Sequence, residues 1–579
     1  MFCRLKISFS NFAIINLQQT TMTPYELKIF CKNTEEYIDI DPGDSLLSIS
    51  STIEPRLGFK PLCALVNNHD EDLSYAVFRP KHIEFVGLSH PAGERCYVRS
   101  LCMVLYKAIN DLYPGKRLRF EHSISNGYYC RFKHDKELIT SEIIDRIKTR
   151  MFQIVDDDIS FVRRERLTSD VVEMFRRQGL NDKVRLLSTT SDLYTTYYKL
   201  GDIIDNFYGP LVPSTGYLKV WDLIPYQNGM LLLPPSKNDQ SVPDTCQPQP
   251  KMFKAFTDHI AFNDVIGADD VGLINRAIRE KQSKMLINVV EALHNKMFAD
   301  IASNIASRYR LGEARVVLIA GPSSSGKTTS SKRLAIQLVT NYIMPKVIEL
   351  DNYFVNREDT PRDETGDYDY ESIYALDLEQ FNHDIEALLR GEEIKMPTYN
   401  FATGQREYRG NTLKLEPNNI LLIEGIHGLN PELTRAIPEK QKFRLYVSAL
   451  TTLSIDDHNW IPTSDNRLLR RIVRDTKYRG VNAQSTLARW ASVRRGEEKW
   501  IFPYQENADA TFNSSLLFEL AAMKNQAEEA LRQVPANAPE YANAHRLMRM
   551  LSYFEPLDEH DVPSTSLLRE FLGGSSFNY

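Results

Sequence analysis

Between Val316 and Leu338 the sequence reads VVLIAGPSSSGKTTSSKRLAIQL, with Gly321, Gly326, Lys327 and Thr328 in the spacing G-x-x-x-x-G-K-T. A short apolar run precedes this segment and a helical pattern follows it, which is the context in which such a loop wraps a phosphate. The glycines let backbone N–H groups of Gly321, Pro322, Ser323, Ser324, Ser325 and Gly326 turn around an anion, proline excepted, and the helix that starts there adds its positive end. Lys327 brings a point charge to the outer phosphates, Thr329 extends the donor set, and the Thr328 hydroxyl suits magnesium. The chemistry expected is ATP binding. No N-K-x-D follows Lys327, so a guanine-reading GTPase is excluded.

Two acidic residues end later apolar runs. VIELDNYF places Asp351, and ILLIEG places Glu424, at the carboxyl edge of a parallel sheet, where open α/β sheets bind ligands. One carboxylate can hold the metal while the other orients a hydroxyl and takes its proton; helix capping by one of them is the plainer alternative. In DNRLLRRIVRD, residues Arg467, Arg470, Arg471 and Arg474 fall on one helical stripe about 100° wide. Four cations on one stripe call for an anionic partner, and a lid over a triphosphate fits; a solvated face paired with Asp465 and Asp475 is the ordinary alternative.

The elements that must position these groups follow from patterning. The runs VVLIA, KVIEL, ILLIEG and FRLYVSA, separated by helical stretches, read as buried parallel strands of an α/β domain. Ahead of it, YELKIFC, PLCALVNNHD and HIEFVGL predict a small β-rich module over residues 25–87. An α+β stretch over 88–233 carries helical periodicity in 95–112 and 165–180. A polar, proline-rich linker covers 234–252, and a helical connector over 253–311 has Met285, Val289, Leu293 and Met297 at four-residue spacing. The α/β part with the phosphate loop runs over 312–515, and helices with a Gly/Ser tail fill 516–579. Residues 1–24 read as a disordered leader, with the true start at Met1 or near Met22.

With 579 residues, 42% hydrophobic and 25% charged, the chain is a multidomain globular protein. Its 70 basic and 76 acidic residues give a net charge of −6, which excludes a generally polycationic nucleic-acid binder. No apolar run approaches the roughly 20 residues of a membrane span. Seven cysteines without a CxxC pair predict reduced thiols and a cytoplasmic location. Cys96, Cys102 and His90 match no common zinc spacing, and buried thiols are expected. His427 is expected either to face the phosphates or to be structural. Trp490 and Trp500, flanking Arg494 and Arg495, are expected to pack beneath the lid rather than to stack bases.

Residues 312–515 resemble the uridine kinase and phosphoribulokinase family of P-loop kinases, through GPSSSGKTT, LDNYF, GDYDYES, PTYNFATGQRE, ILLIEGIHGL and DNRLLRRIVRD. The resemblance implies an ATP- and magnesium-dependent transfer to a nucleoside-like acceptor. It makes Asp351 the general base, Thr328 and Glu424 the metal holders, and Asp369 the ligand of ribose hydroxyls. Tyr399 and Phe401 become pocket aromatics, Arg467 lies near the sugar, and Arg470, Arg471 and Arg474 face the phosphates. One departure stands out: the position expected to hold a base-reading histidine is Gly404, and the segment's aspartate is Asn400.

The first half resembles the front of threonyl-tRNA synthetases: 25–87 is similar to the TGS module and 88–233 to the editing-type domain, clearest in NDLYPGKRLRFEHSISNGYYCRF and GPLVPSTGYLKVWDL. The positions of that family's H-x-x-x-H and C-x-x-x-H are Arg99, Met103, Phe207 and Leu211 here, so neither metal binding nor hydrolysis is expected. The domain reads as a binding or scaffolding remnant. It also motivates a second reading, an RNA- or tRNA-linked regulator in which the loop is an ATP switch.

Overall fold

The computed structural model describes residues 27–133 and 139–578; the leader expected over 1–24 lies outside the described residues. Five parallel strands form the sheet that carries the phosphate loop: β1 (Val316–Ala320), β2 (Met344–Glu349), β3 (Asn419–Glu424), β4 (Lys442–Ser448) and β5 (Ala510–Asn513), in the spatial order β2-β3-β1-β4-β5. The chain leaves β1 toward β2 and β3, then returns on the other side with β4 and β5. That makes the carboxyl end of β1 the switch point where ligands bind. Register fixes the acids there: Glu424 on β3 is level with Ile319 on β1 and Glu349 on β2. All of β1 and β3 is buried; β1 is apolar throughout, and β3 is apolar between Asn419 and Glu424.

Helix α1 (Lys327–Thr340) leaves the loop. Helices α2 (Thr463–Tyr478) and α3 (Ala483–Trp500) cover the same edge, and the chain ends in helices Glu519–Leu531, Tyr541–Ser552 and Arg569–Leu572. The helical connector is three helices, Pro250–Ile266, Val271–Arg279 and Ser283–Arg310. Its buried stripe is Ile287, Val290, His294, Phe298 and Ile301, not the one expected from Met285, which is exposed. A stripe chosen by residue type alone misses buried His294, whose ring lies 5.0 Å from Phe512 on β5.

The front module is a five-stranded mixed sheet with one helix, Leu46–Leu57, capped by the Ser45 hydroxyl. Asn67 and Asn68, both with positive φ, make the turn between Cys63–Val66 and His69–Glu71. Beyond it, helix Pro91–Leu112 packs with a four-stranded and a three-stranded antiparallel sheet. The helix expected over 165–180 is present as Thr168–Arg177, and its expected first residues, 165–167, belong instead to the strand Val162–Leu167. The strand pairs along its whole length with Tyr194–Leu200, and the helix begins where that pairing ends. Residues 234–249 are irregular, yet Gln240 bonds Ser89 and the Gln247 amide bonds the Ser125 carbonyl, fastening the segment to the front half. Among the described residues, no helix is long and apolar enough to cross a membrane.

The two halves share a core. Met252, Phe253 and Phe256 of helix Pro250–Ile266 join Tyr129 and Leu231 of the front sheet to Ala320 and Tyr446 of the parallel sheet. A hairpin between β4 and α2, with strands Ser454–Asp456 and Asn459–Trp460, reaches into the front half. There Lys183 pairs with Asp205 at 2.8 Å and with Asp456 at 3.0 Å, and His458 meets Asp205 at 2.6 Å. Arg119 and Lys133 both bond Asp457, at 3.0 and 3.1 Å.

Candidate functional site

The loop between β1 and α1 is shaped by residues without room for side chains. A Cβ on Gly321 would lie 2.0 Å from the Val447 carbonyl oxygen, and Gly326 adopts φ +83°. Ser324 also takes a positive φ, which turns successive amides into one concavity. Lys327 rests its ammonium on the Pro322 carbonyl at 3.2 Å, across the loop it would share with a phosphate.

Three charged groups meet at this mouth. The Thr328 hydroxyl donates to Glu424 Oε2 at 3.3 Å. Burial pushes the Glu424 carboxyl up to about 8; Lys327 opposes this, while Asp351, Glu349 and Glu570 add to it. Asp351 is open to solvent at its outer edge, and protein crowds the rest of it. That crowding raises its carboxyl above its ordinary value against the pull of Lys327, Arg479 and Arg474. Lys327 therefore lies within electrostatic reach of both acids. A hydroxyl and a buried carboxylate with surplus negative charge around it are the hard oxygen donors a divalent cation needs. His427 is buried, and burial lowers it to about 4, so the imidazole is neutral.

The arginine stripe divides. Arg467 and Arg470 turn inward and grip the back of the loop. Arg467 donates to both oxygens of Glu497 at 2.5 and 2.7 Å and to the Ser323 carbonyl at 3.0 Å. Arg470 pairs with Glu519 and reaches the Ser324 carbonyl at 3.4 Å. Their guanidinium groups are buried, so Arg467 does not extend toward a sugar nor Arg470 toward the cleft, as the resemblance implied. Two glutamates account for the difference: each neutralises an arginine that would otherwise face an anion. Arg471 bonds the Ser323 hydroxyl at 3.1 Å and Asp475, while Arg474 also bonds Asp475 and acts on Asp351. Trp490 lies under Arg467, its ring 5.4 Å away, and Trp500 packs edge-on to Tyr374 at 5.8 Å.

The acceptor side is aromatic. Tyr399 lies tilted to Phe354 and edge-on to Phe401, ring centroids 5.5 and 5.1 Å away, and the Asn352 side chain accepts its amide. Asp369 is half-buried between Tyr368 and Tyr370, and its charge helps raise neighbouring Glu371, which burial lifts to about 7. Gly404 closes the hairpin between Ile394–Asn400 and Gln405–Leu413 at φ +74°. A Cβ there would lie 2.8 Å from the Arg357 side chain, which occupies that space and donates to the Phe401 carbonyl at 2.7 Å.

Sequence reasoning missed Glu497, Glu519, Glu371, Arg357, Arg479 and Glu570. Glu497 also accepts the Ser323 amide at 3.0 Å, and Glu570 accepts both the amide and the hydroxyl of Thr329. None of them left a signal in the sequence: even Glu497, in RRGEEKW, reads there as an ordinary helix charge paired with Arg494.

In the front half, Arg99, Met103, Phe207 and Leu211 are all buried, with Arg99 against Pro210 and Tyr208. The hairpin packs beside them through His458 and Tyr106, rings 4.5 Å apart. The His90 ring nitrogen accepts the Ala92 amide and caps a helix, and Cys96 and Cys102 are buried free thiols. Among the described residues, no cluster of three His, Cys, Asp or Glu side chains could hold a metal.

Residues 316–517 match the phosphoribulokinase / uridine kinase family. A uridine kinase of Bacillus pumilus is 30% identical over 195 residues, covering 34% of this chain and 83% of that protein. One from Halobacterium salinarum is 29% identical over 215 residues, 36% of this chain and 86% of that protein. The N-terminal region matches threonine–tRNA ligases; that of Desulforamulus reducens is 30% identical over 178 residues, 31% of this chain and 28% of the ligase. The chain thus spans under a third of the length of that ligase.

Proposed function

The chain belongs, through residues 316–517, to the phosphoribulokinase / uridine kinase family, and on that premise we propose that it transfers the terminal phosphoryl group of ATP to a hydroxyl of a nucleoside-like small molecule. The observation that carries this reading is the phosphate-type loop at the carboxyl end of β1, where the Thr328 hydroxyl donates to Glu424 Oε2 at 3.3 Å and Glu424 is level with Ile319. The loop amides of Gly321 to Thr329 and the Lys327 ammonium bind the donor phosphates. Thr328 and Glu424 would hold magnesium, which spreads the charge of the outer phosphates. Asp351 accepts a hydrogen bond from the acceptor hydroxyl and takes its proton late in transfer. Arg471 and Arg474 neutralise charge as it develops, and Arg467 and Arg470 hold the loop in register from behind. The exposed Phe401 offers a ring face to a flat acceptor, with the buried Tyr399 packed behind it, and Asp369 offers a carboxylate to vicinal hydroxyls.

The test is ATP consumption by the full chain against a panel of nucleosides, with the product identified by mass. A phosphorylated small molecule is the expected result. ATP turnover that appears only with RNA, with no such product, overturns it. That outcome would favour the second reading, a tRNA-linked ATP switch, which the threonine–tRNA ligase likeness and the hairpin joining α2 to the front half support.

A further inference from the structure

Helix α1 begins at Lys327, so the amides of Lys327, Thr328 and Thr329 precede its first internal hydrogen bond, made by Ser330 to the Gly326 carbonyl at 3.0 Å. These are the amides a phosphate loop offers to the inner phosphates of a nucleotide. One is already engaged. Thr329 donates its amide to Glu570 Oε2 at 3.2 Å and its hydroxyl to the same oxygen at 2.6 Å.

The segment that carries Glu570 is anchored by contacts of its own. Leu567, Leu568, Phe571 and Leu572 are buried. Leu567 fills the space beside Gly326, where a Cβ would come within 2.6 Å of it. The Phe571 ring lies 5.1 Å from the Arg470 guanidinium, and Lys477 bonds the Leu572 carbonyl. The end of the chain is therefore packed against the loop and presents one carboxylate to the start of α1. A helix N-terminus favours any anion, whether carboxylate or phosphate. An α-phosphate seeking Thr329 meets a negative charge that already holds both of its donors, and one amide proton cannot serve two anions at full strength.

We infer that Glu570 is a resident anion of the nucleotide loop, seated on Thr329 when no phosphate is bound and displaced from it by the α-phosphate of an incoming nucleotide. The C-terminal segment thereby sets how tightly the loop takes nucleotide. This rests on the reading of the loop as a nucleotide site. A helix-capping role alone makes a different prediction: neutralising Glu570 would weaken the fold and leave nucleotide binding unchanged or weaker.

Calorimetric titration of ADP and of adenosine into the full-length chain separates these. Glu570→Gln keeps the side-chain length and an acceptor oxygen but removes the charge. The expected result is ADP binding about tenfold tighter than wild type, the scale of one charge-assisted hydrogen bond no longer in competition. Adenosine, which brings no phosphate to Thr329, should be unaffected. Glu570→Ala should tighten ADP in the same direction, and melting of each variant without ligand reports any loss of capping separately. ADP binding to wild type with no tightening in either variant overturns this inference and spares the loop reading. Failure of wild type and both variants to bind ADP overturns both.

Discussion

Asp351 is asked to be both a base and a neighbour of other carboxylates, and its surroundings pull it in two directions. Crowding raises its carboxyl, and Lys327, Arg479 and Arg474 hold it down. Proton acceptance requires the ionised form, so turnover should fall as pH drops through its raised value while ATP stays bound. Asp351→Asn keeps the shape and removes the basicity; it should lower kcat by about 10²- to 10⁴-fold and leave ATP affinity within about twofold, measured by steady-state rates and titration. Equal losses in both would show that Asp351 shapes the loop instead. Gly321 through Thr329 are legible in the sequence because their spacing itself makes the turn. Glu570 and Glu497 are not, since they reach that turn from 241 and 174 positions away and no local pattern records a partner so distant. Gly404 is the intermediate case. Its departure from the family is visible in the sequence, but its cause, the Arg357 side chain filling the same space, is visible only in three dimensions. Gly404→His should therefore not create a base reader. Positive φ and contact with Arg357 should reduce acceptor turnover more than about tenfold, read as kcat/KM across a nucleoside panel.

At the scale of elements, α2 works as a clamp with two jaws. Its positive stripe is legible from offsets of three and four residues, but which cations point at ligand and which at protein depends on the acids opposite, supplied by α3 and the helix after β5. Glu497 is the clearest of these. It neutralises Arg467, accepts the Ser323 amide, and bonds Arg494 at 3.0 Å. Burial opposes its charge, but Arg467 and Arg494 outweigh burial and hold the carboxyl below its ordinary value. Glu497→Gln leaves Arg467 buried without its carboxylate partner. Unfolding in urea should show a loss of about 3 kcal/mol, the scale of a broken buried pair. Because Ser323 belongs to the loop, ATP affinity should fall in the same variant even though Glu497 touches no ligand. Stability lost with affinity intact would mean the clamp and the loop are independent. At 165–180 local reading finds the helix but sets its start three residues early: it runs Thr168–Arg177 because Glu165, Arg166 and Leu167 pair with Thr196, Thr195 and Tyr194.

For the whole molecule, the question is whether the kinase half can stand without the front half. The alternation of apolar runs makes the two halves legible as separate folds, and on sequence grounds the polar stretch over 234–252 could join them loosely. The hairpin Ser454–Trp460 argues otherwise. It places Asp456, Asp457 and His458 in contact with Lys183, Arg117, Arg119, Lys133 and Asp205, all from the front half. Burial opposes the charge of Asp457, yet Arg119, Lys133 and Arg117 outweigh it and hold the carboxyl well below the usual range. A depressed carboxylate brings stability that is present above its unfolded pKa of about 4 and is lost as pH falls through its folded value. Asp205, lowered by Lys183 and His458 against its burial, acts in the same sense; Asp456, raised by burial to about 6, acts in the opposite one. Two lowered groups against one raised group predict that the melting temperature of the full chain falls as pH drops from 5 to 3. Residues 253–579 alone would expose this hairpin's acids without their partners, along with Phe253 and Phe256, whose apolar surface the front sheet covers. Removing one side of a buried ionic network costs several kcal/mol, comparable to the roughly 5–15 kcal/mol that keeps a domain folded. The fragment should therefore melt far below the full chain or aggregate, and the full chain should unfold in one calorimetric transition that contains both halves. Two well-separated transitions, the upper one retained by the fragment, would mean that the front half is a passenger rather than part of the kinase's core.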